Sequence, residues 1–139
     1  MSPEATSAES GSETAAETAA GRRVLIVDDD HALRQQLAAY LEQRGFACFT
    51  AGDGAQAILA LERHLPEVVL LDIQMPDISG LDVAAITADL EPRPKVLFMS
   101  GYDDAVAAAN RFHLEVFAVI EKPVPLRDVA REVERAFEA

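Results

Sequence analysis

From Arg22 onward, short apolar runs alternate with stretches whose apolar residues recur every three or four positions. The runs are RVLIVD (23–28), FACFT (46–50), EVVLLD (67–72), KVLFMS (95–100) and VFAVI (116–120). The third shows no polar alternation over Val68–Leu71, which predicts a strand buried on both faces. Helical patterns lie between and after the runs. The first places Leu33, Leu37, Tyr40 and Leu41 on one face, with Asp30 as N-cap and Gly45 as the C′ residue that ends it. The second opens at the candidate N-cap Asp53 and is expected to present Ile58, Leu59 and Leu65. The third follows Gly80 and carries Leu81, Ala84, Ala85 and Leu90 before the breakers Pro92 and Pro94. The fourth runs through DDAVAAANRF (103–112), and the fifth starts near Pro125 with Leu126, Val129, Val133 and Phe137 inward. Alternation of this kind implies right-handed βαβ units, hence an α/β domain with a parallel sheet covered by helices on both faces.

Residues 1–20 break the pattern, with no aromatic residue, no Val, Ile or Leu, and four glutamates (Glu4, Glu9, Glu13, Glu17) without a basic residue. Such a stretch cannot bury enough apolar surface to offset its ordering entropy. We therefore expect a disordered acidic tail over 1–21 and one folded domain over 22–139. The length of 139 residues suits that division.

Charge narrows the function. A formal net charge of −12 argues against unaided nucleic-acid binding, which demands clustered Lys and Arg, and favours cations or partners with a basic surface. The single cysteine, Cys48, excludes an intrachain disulfide framework and a cysteine-based zinc site, and points to a reducing, cytoplasmic setting. No apolar stretch approaches the ~20 residues that span a bilayer, and the N-terminus lacks the basic start and apolar core of a signal peptide.

The chemistry gathers where the strands end. The first run finishes on Asp28, Asp29 and Asp30, the third on Asp72 and the fourth on Ser100-Gly101, while Lys122-Pro123 follows the fifth. In open parallel α/β sheets, ligands bind outside the carboxyl ends of the strands. Carboxylates within about 4 Å of one another repel by several kcal/mol in a partly buried site, and a hard divalent cation such as Mg²⁺ relieves that repulsion. Lys122 could supply a positive charge and Ser100 a hydroxyl donor to an incoming anion. A carboxylate nucleophile, a metal, an ammonium and a hydroxyl together describe phosphoryl transfer to an aspartate.

VLIVDDD, LLDIQMPDISGLD, MSG and KP stand in the order and spacing of the receiver domain of two-component response regulators, a resemblance covering about residues 22–138. It implies a (βα)5 flavodoxin-like fold with strand order 2-1-3-4-5. It also implies that Asp72 accepts a phosphoryl group from a histidine kinase or histidine phosphotransfer protein, with Mg²⁺ (or Mn²⁺) held by Asp28, Asp29, Asp72 and the backbone carbonyl of Gln74. By the same match Lys122 pairs with the phosphoryl group, Ser100 moves toward it, and the Lys122–Pro123 bond is cis. A downstream protein then reads the face of the fourth helix, fifth strand and fifth helix, including Ala107, Asn110, Arg111, Val119, Glu121 and Pro123-Val124-Pro125. The chain departs from the family at Val119, where an aromatic switch residue is usual. Strand alternation would turn the nearest aromatic, Phe117, to the same side one pleat away.

Each site residue also has a plainer reading. Asp28, Asp29 and Asp72 could cap turns, Lys122 could be a solvated loop lysine, and Ser100 a turn residue before glycine. Gln74 and Tyr102 could flank the phosphoryl group or be exposed loop residues. His31, His64 and His113 read as surface or helix-face residues, Cys48 as a small hydrophobe, and Met75-Pro76 with Gly80 as a turn passing close to the site. A phosphatase working through an aspartyl-phosphate would need a second Asp where Gln74 stands. A dinucleotide-binding protein would need a Gly-rich loop where the aspartates stand. A scaffold that has lost phosphorylation finds support only in Val119. The expected protein is a phosphoacceptor rather than an enzyme, a monomer or weak homodimer without an output domain of its own, which binds neither nucleic acid nor membrane.

Overall fold

The computed structural model describes residues 22–75, 80–100, 102–111 and 115–139. The expected acidic tail, Pro76, Gly101, Phe112 and His113 lie outside the described residues. Strands β1 (Arg23–Val27), β2 (Ala47–Ala51), β3 (Val68–Asp72), β4 (Lys95–Ser100) and β5 (Ala118–Glu121) form one sheet in the order β2-β1-β3-β4-β5. Every neighbouring pair is parallel. Helices α1 (His31–Glu42), α2 (Gly54–His64), α3 (Gly80–Thr87), α4 (Tyr102–Arg111) and α5 (Leu126–Glu138) follow the strands in turn. This is the five-stranded doubly wound fold expected.

The sheet separates two cores. Leu25, Val27, Val69, Leu71, Val96 and Phe98 pack with α2, α3 and α4, whereas Val24, Ile26, Val68, Leu70, Leu97 and Met99 pack with α1 and α5. Successive residues of β1, β3 and β4 therefore feed opposite clusters, which is why these strands read as unbroken apolar runs.

The helix ends follow side-chain chemistry. Asp30 Oδ1 accepts from Leu33 N–H at 3.1 Å and Asp53 Oδ1 from Gln56 N–H at 2.8 Å, so both act as N-caps. Gln56 returns its amide oxygen to Gly52 N–H at 2.8 Å, bracing the same turn. After α1, Gly45 has φ +91° and donates to Glu42 O, while Phe46 N–H donates to Leu41 O. That pair of bonds is a Schellman closure with Gly45 at C′.

Three expectations about facing are corrected. In α2 the inward residues are Ala57 and Leu61, while Leu59 and Leu65 are 59% and 55% exposed. Small Ala57 lets the helix approach the sheet beside Leu61, so Leu59 and Leu65 do not mark the packed face. In α3, Ala85 is exposed and the helix stops at Thr87, leaving Leu90 in the turn beyond it. Phe117 precedes β5 and packs on the α1–α5 side, whereas Val119 packs on the other. Pleated alternation starts only at Ala118, so it does not carry Phe117 to the side of Val119.

Candidate functional site

The sheet order puts the ends of β1 and β3 side by side, and with them Asp28 and Asp72. Asp28 continues β1 by one residue, its N–H donating to Ala51 O at 3.1 Å. The Asp28 side chain is fully buried; Oδ1 accepts from Asp30 N–H at 2.9 Å and Oδ2 from Lys122 Nζ at 2.8 Å. Asp72 ends β3 and is also buried, with Oδ1 accepting from Gln74 N–H at 3.0 Å and Oδ2 from Lys122 Nζ at 3.3 Å. Asp29 is exposed, and one carboxylate oxygen from each of Asp28, Asp29 and Asp72 lies within 4.8 Å of the others.

Lys122 stands just past β5 and reaches both buried carboxylates, with about a third of its side chain exposed. Its N–H donates to Ser100 O at 3.1 Å, extending the β4–β5 ladder, and the Lys122–Pro123 bond is cis, as is Glu91–Pro92. Ser100 itself is buried at the end of β4, and its Oγ has no hydrogen-bond partner among the described residues.

Electrostatics divide these groups. Burial pushes the Asp72 carboxyl up; the Gln74 N–H pulls it back, the Asp28 charge adds to the rise and Lys122 opposes it, with a raised value the result. Burial pulls the Lys122 ammonium down, but the hydrogen bond and charge of Asp28, with those of Asp72, more than reverse this and leave it raised. Three carboxylates face one ammonium, so with all three ionised the cluster carries two uncompensated negative charges. Hard oxygen donors with that charge suit a divalent cation.

Gly80 shapes the same corner. A Cβ there would fall 2.2 Å from the Asp72 carbonyl oxygen and 2.6 Å from Ile73 Cα, so only glycine allows α3 to start against the strand end. Of the turn expected close to the site, Gly80 lies against the strand end, and residues 76–79 lie outside the described residues.

The structure brings together Asp28, Asp29, Asp72 and Lys122, with Ser100 joined through the main chain of Lys122. Gln74 is exposed and touches the cluster through its N–H. Asp30 is also exposed and serves as the α1 cap. Val119 is half-buried in β5, paired with Phe98 of β4. His31 is exposed, and His64 stacks on Phe49 with ring centroids 3.9 Å apart. Sequence reading missed Arg34, whose Nη1 donates to Asp28 O at 2.7 Å. The available signal was its spacing, one turn beyond the Asp30 cap and therefore above the strand end. A separate cavity of about 270 Å³, lined in part by Leu61, Pro66, Leu90, Pro92 and Phe137, also touches Arg23 and Lys95 at the opposite ends of β1 and β4. It takes no part in this site.

The family model of the response regulator receiver domain matches residues 24–134. The chain belongs to that family. This receiver is similar to the probable transcriptional regulatory protein TcrX of Mycobacterium tuberculosis, with 41% identity over 78% of this chain and 49% of the relative. It is 34% identical to the positive alginate biosynthesis regulatory protein of Pseudomonas aeruginosa, over 81% of this chain and 46% of that protein. The receiver thus spans about half the length of these two curated relatives. It covers 95% of the response regulator receiver protein CpdR of Brucella abortus, at 28% identity over 82% of this chain. Among solved structures, a CheY-like response regulator receiver domain protein from Methanospirillum hungatei superposes with a TM-score of 0.77 at 27% identity, covering 86% of this chain and 96% of that one. Such domains are the signalling phosphoacceptors of two-component systems. Among the described residues of this receiver, no helix is long and apolar enough to cross a membrane.

Proposed function

We propose that this receiver is phosphorylated on Asp72 by a histidine kinase or histidine phosphotransfer protein. An Asp72 carboxylate oxygen attacks phosphorus, the phosphorus–nitrogen bond of the phosphohistidine breaks, and the imidazole leaves with the electron pair. Asp28, Asp29 and Asp72, with the Gln74 carbonyl, would hold Mg²⁺ (or Mn²⁺). That ion would neutralise charge on the transferring group. Lys122 already bridges Asp28 and Asp72 and would pair with the phosphoryl oxygens. The Ser100 hydroxyl, without a partner among the described residues, would donate to one of them.

The observation that carries this reading is the pair of buried carboxylates, Asp28 and Asp72, sharing one lysine at 2.8 and 3.3 Å. A merely structural pair would need only one carboxylate per ammonium.

Movement of Ser100 would pass to β5 and alter the face made by α4, β5 and α5. Ala107, Asn110, Arg111 and Glu121 are exposed there and Val119 is half-buried, offering a surface to a downstream protein. Val119 in place of an aromatic makes that relay depend on Ser100 and the β4–β5 ladder. The domain would work in the cytoplasm as a monomer or weak homodimer, binding neither nucleic acid nor membrane directly. Its only catalysis would be its own phosphorylation and slow dephosphorylation.

Intact-protein mass after incubation with Mg²⁺ and acetyl phosphate tests the site. One added phosphoryl group is expected in the wild type, none in Asp72→Asn and none after chelation. An equal adduct on Asp72→Asn would overturn the assignment.

A further inference from the structure

Arg34 lies outside this phosphoryl chemistry, yet its guanidinium reaches back from α1 to the end of β1. Nη1 donates to Asp28 O at 2.7 Å, Nη2 lies 3.1 Å from His31 Nδ1, and Nε is buried with no partner among the described residues. The salt bridges formed among the described residues do not include Arg34. Across the guanidinium is Gly52, in the turn from β2 to α2. A Cβ on Gly52 would come 2.9 Å from Nη1 and 3.3 Å from Cζ, so the missing side chain gives the guanidinium its slot.

This position completes the hold on one residue. The Asp28 N–H is taken by Ala51 O, Oδ1 by Asp30 N–H and Oδ2 by Lys122. Only the carbonyl remains, and Arg34 occupies it. With the main chain fixed on both sides of Cα, the Asp28 carboxylate has little freedom to turn from Asp72 and Lys122.

We infer that Arg34 is a positioning residue for Asp28, setting the orientation of its carboxylate and thereby the divalent-cation affinity of the cluster. The inference rests on the proposed reading of that cluster as a metal site. Groups that orient metal ligands from behind change affinity by roughly 10–100-fold when removed. The single main-chain bond at Asp28 places the expected loss near the lower end, about tenfold. An arginine that only braced the fold would alter stability and leave affinity unchanged.

Mn²⁺ binding, followed by calorimetry and by paramagnetic resonance of the free ion, separates these cases. Wild type is compared with Arg34→Ala, Gly52→Ala and Val133→Ala, the last a core truncation in α5 away from the site. Arg34→Ala should bind Mn²⁺ about tenfold more weakly. Its metal-free form should also show faster hydrogen exchange at Asp30 N–H. Free guanidinium ion, added below denaturing concentrations, should restore much of the affinity. Val133→Ala should lose stability and keep wild-type affinity. Equal affinity in Arg34→Ala and wild type overturns the role of Arg34 while leaving the metal site standing; no Mn²⁺ binding by wild type overturns both. If Arg34→Ala fails to fold, Gly52→Ala decides, because its Cβ displaces only the end of a flexible side chain. Weakened binding there supports the inference and unchanged binding overturns it.

Discussion

Replacing Lys122 with methionine keeps much of the side-chain length and removes the ammonium that joins Asp28 to Asp72. At an effective dielectric constant near 20, charges at these separations attract by about 6 and about 5 kcal/mol before desolvation is counted. Burying the ammonium offsets several kcal/mol of that, and removing one member of a buried pair typically costs about 3–5 kcal/mol. Lys122 is a third exposed, so solvent screening reduces the expected loss to about 2–3 kcal/mol. Urea denaturation in EDTA, with a slope of about 1.5 kcal/mol/M, should show the midpoint falling by roughly 1.3–2 M. Saturating Mg²⁺ should shrink the difference between the two proteins, because a divalent cation then compensates the same carboxylates. The Lys122 pKa is raised, so its stabilisation is complete below the ordinary value of 10.5 and is lost as pH climbs beyond it. The wild-type advantage should therefore hold from neutral pH to about pH 9 and decline above 10.5. A loss of the same size with and without Mg²⁺, or no loss in EDTA, would refute the view of carboxylates and lysine as one electrostatic unit.

Ser100→Ala should be neutral or stabilising by about 1 kcal/mol in denaturation, because it removes a buried hydroxyl that has no partner among the described residues. On the proposed reading, the same variant should also blunt the spectral change expected at the α4–β5 surface on treatment with Mg²⁺ and acetyl phosphate. Gly80→Ala should destabilise by more than about 3 kcal/mol or shift the start of α3, since its Cβ would meet the Asp72 carbonyl; calorimetric Tm reads this directly. Asp53→Ala removes a side-chain cap from α2 and should cost about 1 kcal/mol by urea titration without changing phosphorylation. Burial, with Glu42 adding to it, pushes the Cys48 thiol from 9.0 up to about 12. Folding therefore holds that proton, and the stability it contributes is complete below pH 9 and fades toward pH 12. Iodoacetamide at pH 8.5 should label native protein far more slowly than unfolded protein, and equal rates would contradict the burial.

The strands of this fold were legible because β1, β3 and β4 are apolar on both faces, and because polar residues begin where the sheet ends. Aspartates and a lysine placed there could be assembled into one cluster once the sheet was taken as parallel. The register of α2 was not legible. Leu59 and Leu65 dominate any apolar pattern, yet close approach of helix to sheet favours Ala57 and Leu61. Phe117 was misplaced because alternation was extended across a bend outside the strand. Arg34 escaped notice for another reason. A long cation in a helix reads as solvated, and nothing in its own neighbourhood shows that a glycine eighteen positions later leaves room for its guanidinium.

The β4–β5 edge has a mechanical consequence. Ser100 pairs with Glu121, and Lys122 N–H is bonded to the Ser100 carbonyl, so the hydroxyl and the ammonium ride on one two-strand ribbon. Three inner strands are clamped from both sides, whereas β5 is a short outer strand in which only Ile120 is buried. Stiffness in the sheet is therefore graded, high in the middle and low at this margin. A pull on either side chain is felt first as a shear of the compliant margin, and the rigid interior acts as the anvil against which that shear is resolved.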